Sequence, residues 1–541
     1  MELLTPQTIW KGYDASMLPL ATSVTSDKTE GGRRVICARF NGSWGLDGVS
    51  RVFVRAVLPA GKKSPAVIYM PDAHESVMNV DVDLFLSLGY GVIVPDYAGE
   101  RDDDPRYTLY PRSMSHANFT PDCLSTVPKD MKFNCWTVWA ETLMRAITFA
   151  SELDEVDESR IALVGEGVGA SSAFKASSID NRIACAVTLY SAGYLPEADE
   201  QELLKFKVTL TDEAYAPLIK KPVLILVASN EQDGSVDAYS EAFERIPEES
   251  GSRLSISERA SHTIGLKQKN NIGLWLAHHL EGEGNIPAVP EVAVSSENRE
   301  LYYTVTAPSG MEDVELFVSQ ANRAGALRNW RSYKLTKAED GTYKAKVEVY
   351  NSREPLVAFA NATARSGKAM SVSSAMLTRT PAMLGVNETP FTSNRLIYSG
   401  EMGKDDWIVI SPLLKKNTLS MIKGPFGIEG VSSAVGTIST FKIGDPIYAG
   451  KSGWLLQLMI YSNREQDVTF SVTSYNGEGE KGKYTEYSHT VRLYPADNWR
   501  KITLEESDFK APYAGHANWE EVVYLNIRGD APVAIASALW V

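Results

Sequence analysis

Short unbroken apolar runs alternate with helical stretches over roughly the first half of the chain. The runs at 66–70, 91–95, 161–164, 183–189 and 223–228 are apolar throughout or nearly so, and each ends in turn-forming or polar residues. A parallel sheet covered by helices on both faces requires strands of this kind. Two earlier strands are predicted at 33–39 and 51–58, flanking the turn-rich Asn41-Gly42-Ser43. The pattern at 136–153 predicts an amphipathic helix, 264–280 a closing helix, and 254–258 the last strand before it. This alternation predicts an α/β class, a doubly wound domain over residues 1–283. The stretch 98–135 interrupts it with Asp102-Asp103-Asp104, four prolines and no period, and predicts a lid or binding loop.

Beyond Glu281-Gly282-Glu283-Gly284 the helical period vanishes. Alternating segments such as Leu301-Tyr302-Tyr303-Thr304-Val305 predict an immunoglobulin-like β-sandwich over 288–378. A second break runs from Thr380-Pro381 to Thr389-Pro390. The remainder, 388–541, again reads as short strands and turns and predicts a jelly-roll β-sandwich.

Composition narrows the partners. A chain of 541 residues exceeds one hydrophobic core. Its net charge of -14 argues against nucleic acid and suits a neutral polysaccharide or oligosaccharide. No apolar run reaches the ~18–20 residues that span a bilayer, so no membrane partner is expected. Cys37, Cys123, Cys135 and Cys185 follow no metal spacing and are expected as isolated thiols; no metal or cofactor is expected. The first residues carry no signal-peptide pattern. Localisation stays unknown from the sequence, and a carbohydrate-linked architecture favours a secreted or cell-surface setting.

The chemistry concentrates in Arg160-Ile161-Ala162-Leu163-Val164-Gly165-Glu166-Gly167-Val168-Gly169. A β-branched strand enters a glycine-bracketed turn and then a small-residue helix, the context of a G-x-S-x-G nucleophile elbow. The central position is Gly167, which has no hydroxyl to attack with. Ser171 and Ser172 lie a turn further on and are expected to pack helix against sheet.

Five segments in order carry a family resemblance: 66–71, Gly89-Tyr90-Gly91-Val92-Ile93-Val94-Pro95-Asp96-Tyr97, 156–165, 222–227 and Ser261-His262. With them the chain resembles the α/β-hydrolase superfamily, and within its dienelactone-hydrolase part the bacterial acetyl xylan esterases and cephalosporin C deacetylases. The resemblance implies chain order nucleophile, acid, histidine, which survives as Gly167, Glu231 and His262, with Asp233 as rival to Glu231. It implies oxyanion donors at Val168 and at Ala73, in the loop after 66–70. That loop reads Met70-Pro71-Asp72-Ala73-His74-Glu75, without the family's glycine-rich stretch. An inward Asp72 would repel an oxyanion; at ~4 Å and an effective dielectric of ~20, like charges cost ~4 kcal/mol. Glu166, before the vacant nucleophile position, would join Asp72, Glu231 and His262 in a carboxylate–imidazole cluster. The alternatives are an exposed Glu166 at a strained turn, an Asp72 bonded to its own loop, and an Asp237 that caps the next helix. The last domain resembles galactose-binding-type sandwiches, through Trp499-Arg500-Lys501-Ile502-Thr503-Leu504 and 537–541. No residue is assigned to carbohydrate there; of Trp407, Trp454, Trp499, Trp519 and Trp540, one or two at most are expected to stack on sugar.

The function expected is a carbohydrate-active α/β-hydrolase-fold protein that lacks the nucleophilic serine and binds or processes a polysaccharide. Whether it is an enzyme stays open. One alternative uses His262 and carboxylates on a glycosidic or ester bond. Another is an ordinary carbohydrate acetyl esterase with an engineered Ser-to-Gly change.

Overall fold

The computed structural model describes residues 4–541 except 101–104, 191–192, 197, 233, 321–323, 365–369, 411–417, 477–482, 496 and 514. The apolar runs are the centre of one sheet. Its N-terminal strands are β1 (Ser23–Glu30), β2 (Arg33–Gly45), β3 (Gly48–Pro59), β4 (Ser64–Met70), β5 (Gly91–Pro95), β6 (Val156–Glu166), β7 (Cys185–Leu189), β8 (Val223–Ala228) and β9 (Arg253–Ser257). They lie in the order β1-β2-β3-β5-β4-β6-β7-β8-β9. From β5 through β9 neighbours run parallel, and β4, β5, β7 and β8 are buried along their whole length. Helices Cys135–Ser151 and Val168–Ile179 cover one face, where Leu143, Phe174 and Ile68 share a core. Helix Leu266–Glu281 covers the other through Ile272, Trp275 and Leu276.

Two local expectations change. β2 continues through Asn41-Gly42-Ser43 to Gly45, with an irregularity between Asn41 and Trp44, so the reversal comes later, before Gly48. Gly42 serves close strand approach rather than a turn: a Cβ there would lie 2.5 Å from Ser50 Oγ. Helix Cys135–Ser151 is buried nearly all round rather than half-exposed. The reason is the insert, which packs on its outer side. Trp139 Nε1 donates to Ala117 O (2.9 Å), and Met114, Ala117 and Val138 form a small core. Thr108 N–H donates to buried Asp96 (2.7 Å), so the insert is also bonded to the edge of β5. Asp102-Asp103-Asp104 lie outside the described residues.

The sheet does not stop at β9. Leu254 pairs with Ser373, and strands Val372–Ser373, Leu356–Thr363, Asp313–Gln320 and Arg331–Tyr333 extend it. A polar seam reinforces the junction: Ser255 Oγ and Asn271 Nδ2 both donate to Ser371 O at 2.7 Å, and Asn361 Nδ2 donates to Ile256 O at 3.0 Å. A four-stranded sheet (Glu291–Glu297, Glu300–Thr306, Tyr343–Val347, Thr336–Lys337) packs on this extension through Tyr303, Val347, Leu316 and Ala358. Two six-stranded sheets make up the C-terminal part and share one core. Trp407, Trp499, Trp519 and Trp540 are buried there; Trp454 is half-buried with the Arg395 guanidinium 4.6 Å over its ring. Arg331 and Asn329 both bond Asp445, tying the first sandwich to the second. The four cysteines are free thiols.

Under the turn after β6 lies a buried ion pair. Lys175 Nζ contacts Asp212 Oδ1 at 2.5 Å with both side chains 2% exposed, and Ser171 Oγ donates to the same oxygen at 2.7 Å. Ser171 therefore belongs to a polar cluster rather than to apolar packing. The ammonium also lies 4.9 Å from the Trp136 ring. Lys175→Ala strands a buried carboxylate and is expected to cost about 3–5 kcal/mol in urea unfolding of the hydrolase domain. The paired change Lys175→Met with Asp212→Leu is expected to recover most of that loss, because no charge is then left unmatched.

Candidate functional site

The C-terminal ends of adjacent strands carry the site. Gly167 follows β6, Tyr190 follows β7, Glu231 lies just beyond β8, and His262 lies just beyond β9. Gly167 has φ 56° and ψ -125°, the left-handed turn a nucleophile elbow needs, and begins helix Val168–Ile179. The flanking glycines are dictated by contact. A Cβ at Gly165 would meet Ala170 Cα at 2.5 Å, and one at Gly169 would meet Met70 O at 2.3 Å. Helix and oxyanion loop thus approach backbone to backbone.

A Cβ at Gly167 would fall 1.8 Å from Asp72 Oδ2. The Asp72 carboxylate therefore occupies the space that a side chain at position 167 would take. Its Oδ2 lies 3.4 Å from Val168 N, the expected oxyanion donor, and its Oδ1 accepts from His74 N–H at 3.1 Å. Asp72 thus combines two orientations expected as alternatives, bonding its own loop and facing inward. The start of a 12-residue helix favours an anion, by about 0.3–1 kcal/mol at an exposed site. Ala73 is buried in the core shared with Val168.

The acid and the histidine meet. His262 Nδ1 lies 3.1 Å from Glu231 Oε1, and His262 N–H donates to Glu231 Oε2 at 3.2 Å. Both side chains are buried. His262 has φ 47°, a strained conformation for a non-glycine residue, which the two-point hold by Glu231 maintains. Asp233 lies outside the described residues. Glu166 is neither exposed nor in a cluster with Asp72: it is buried on the opposite face of the sheet and accepts from Tyr69 Oη at 2.7 Å. Strand alternation explains this, since Glu166 shares its face with Val164, which packs with Tyr69. Burial, and then the Glu166 carboxylate, push the Tyr69 phenol well up, so it stays a donor. Asp237 caps no helix; the helix begins at Val236 without a side-chain cap, and Asp237 instead pairs with Arg328 of the first sandwich at 2.6 and 2.7 Å.

Three further features had weak signals in the sequence. The Tyr190 ring lies 4.8 Å from the His262 ring, and Tyr190 itself has φ 59°. Its place at the end of an apolar run matches that of Gly167, the one cue available. Phe119 of the insert meets the His74 ring at 5.1 Å, covering the oxyanion loop. The first sandwich holds the acid loop: Asn230 Nδ2 donates to Ala326 O (3.1 Å) and Arg328 O (2.8 Å), and Arg259 Nε donates to Trp330 O (3.0 Å). No spacing within 1–283 announces these partners. Among the described residues, no group of three or more His, Cys, Asp or Glu could hold a metal ion.

The occupied seat has a direct consequence. Gly167→Ser alone is expected to lower stability by about 1–3 kcal/mol from backbone strain, before the collision with Asp72 is added, and to give no ester turnover. Joined to Asp72→Ala, the same serine gains both room and the Val168 N–H. That double variant is expected to hydrolyse 4-nitrophenyl acetate above the rate of either single variant.

Residues 53–257 match the Dienelactone hydrolase family. No curated protein matches the sequence. Among solved structures the chain is similar to acetyl xylan esterase 1 from Thermoanaerobacterium sp. JW/SL YS485, at 14% identity over 49% of this chain and 89% of that one, with a TM-score of 0.40. It is also similar to an acetyl xylan esterase from Paenibacillus sp. R4 (15% identity, 49% and 91% covered, TM-score 0.39). A glucuronoyl esterase from Solibacter usitatus gives 15% identity, 50% and 89% covered, and a TM-score of 0.38. The chain carries a dienelactone hydrolase family domain of α/β-hydrolase fold, followed by appended β-sheet domains.

Proposed function

We propose that this is a carbohydrate-directed member of the hydrolase fold that engages its glycan without serine acyl transfer. The observation that carries the reading is the Asp72 carboxylate in the seat of the nucleophile, at the start of the helix that would otherwise polarise a substrate carbonyl. An ester carbonyl placed there would meet a fixed negative charge in a site built for a developing one. A single exchanged residue in an ordinary esterase would not bring that carboxylate with it. The carbohydrate class is supported by the resemblance of the five segments and by the sandwiches that follow the hydrolase domain. The net charge of -14 favours a neutral glycan over a polyanion. In this reading residues 288–378 and 388–541 are accessory domains behind a catalytic-type scaffold over 1–283, and 388–541 contributes to glycan contact.

A second reading is favoured by one observation: the Glu231–His262 pair is intact and buried. Held at Nδ1, an imidazole offers Nε2 as a base for water. Water would then attack a glycosidic or ester carbon directly, with its proton passing to His262 and from there to the leaving oxygen.

An assay on acetylated xylan, 4-nitrophenyl acetate and aryl glycosides separates the readings. The first expects no turnover above background, no labelling by a fluorophosphonate, and retained binding to a soluble glycan. Turnover of any of these substrates that falls at least about a hundredfold in Glu231→Gln and His262→Ala would move the assignment to the second. Fluorophosphonate labelling at any serine would overturn both.

A further inference from the structure

A cleft of about 660 Å³ opens where the three parts of the chain meet. Helices Glu200–Thr209 and Val236–Arg245, with the short turn Asp212–Tyr215 between them, form its base. Ala324, Gly325 and Ala326 of the first sandwich form a wall, and Tyr484 of the second stands at the rim. Asp72, Gly167, Glu231 and His262 do not line it. The size lies within the usual range for small-molecule sites, about 300–1,000 Å³.

Three independent features point to an occupant. The first is apolar surface left in water: Leu195, Leu204 and Tyr484 are 40%, 59% and 49% exposed, and all three line this cleft. Such side chains gathered at a concave site mark binding surface.

The second is a pair of acceptors without donors. Glu213 lines the cleft, and its Oε2 is shielded from solvent with no hydrogen-bond partner among the described residues. Its neighbour Asp212 is 3% exposed, and its Oδ2 is in the same condition. Asp212 lines a small chamber that shares Gly193 and Thr211 with the cleft. Shielded carboxylate oxygens without donors are costly, and a ligand hydroxyl supplies what they lack. Burial also pushes the Glu213 carboxyl up.

The third is charge balance. The carboxylates in and beside the cleft are Asp212, Glu213, Asp237 and Glu241; the cations are Lys175, Lys207, Arg245 and Arg328. Asp212 is paired with Lys175, Asp237 with Arg328 and Glu241 with Arg245. The site is rich in acceptors yet offers no net field for a phosphate, a polyuronate or a cation. That combination suits a neutral polyhydroxylated chain, with an aromatic face for a sugar ring.

We propose that this three-domain cleft, and not the family pocket, is where the chain binds its glycan: a neutral oligosaccharide segment with one ring on Tyr484 and a hydroxyl donating to Glu213. The proposal deepens the carbohydrate-directed reading above and rests on it. The full-length protein is titrated calorimetrically with neutral hexasaccharides of xylan, mannan and glucan, and with hexagalacturonate as the anionic comparison. At least one neutral hexasaccharide is expected to bind, and hexagalacturonate more weakly. Leu204→Trp fills the cleft from an exposed position, and Tyr484→Ala removes the ring. Each is expected to weaken binding by about tenfold or more with an unchanged melting temperature, equivalent to at least ~1.4 kcal/mol. Glu213→Gln, nearly isosteric, gives a third reading if the tryptophan disturbs folding. Neutral glycan binding untouched by all three variants overturns the cleft assignment and leaves the carbohydrate-directed reading standing. Preference for the anionic chain overturns the charge argument and with it the proposal. Binding of none of the sugars removes both.

Discussion

The backbone contact between the turn 165–169 and the loop 70–72 governs this domain. Gly169 lies so close to the Met70 and Pro71 carbonyls that a methyl group cannot enter, and Gly165 is as tightly set against Ala170. That approach places the start of helix Val168–Ile179 directly beside Asp72. Once there, the helix N-terminus and the Asp72 carboxylate satisfy each other, and no room remains for a side chain at position 167. The glycine at 167 and the aspartate at 72 are therefore one structural fact. Each makes sense only in the presence of the other.

The second organising feature is the continuity of the sheet across β9. In a free-standing hydrolase domain the strand beside the histidine loop would end the sheet. Here Leu254 pairs onward to Ser373, and the exposed edge is removed. The loops bearing Glu231 and His262 face the segment 326–330, which accepts from Asn230 and Arg259. The acid and the histidine are thus positioned partly by a domain that contributes no side chain to their pair. The Asp237–Arg328 ion pair holds the same junction from the adjoining helix. A cleft bounded by all three parts follows from this docking, since its walls are set by how the sandwiches lean on helices 200–209 and 236–245.

The opposite fates of the two carboxylates that flank position 167 show how strongly strand alternation acts. Glu166 leaves the sheet on the face of Val164 and is captured by the Tyr69 phenol. Asp72 arrives from the neighbouring loop on the other side. Four groups that looked like one cluster along the chain take different partners: Glu166 is held by Tyr69, Asp72 lies against Gly167, and Glu231 pairs with His262.

What the sequence by itself determined is what depends on local period and spacing. Apolar or nearly apolar runs announced β4, β5, β7 and β8, because a strand covered on both faces is almost wholly apolar. The glycines at 165, 167 and 169 announced the turn, because only they permit its conformation and its contacts. The family resemblance named Glu231 and His262 together, and these two side chains meet. Tertiary structure alone decided where the Asp72 carboxylate lies, which way Glu166 turns, that Asp237 reaches Arg328 instead of capping its helix, and that Gly42 sits inside a long strand. Each of these depends on a partner distant along the chain or on the opposite strand. Val168 and Asp72 are 96 residues apart, and Asp237 and Arg328 are 91. No periodicity encodes such a pairing; it exists only once the sheet has brought the strand ends together and the sandwiches have closed against them.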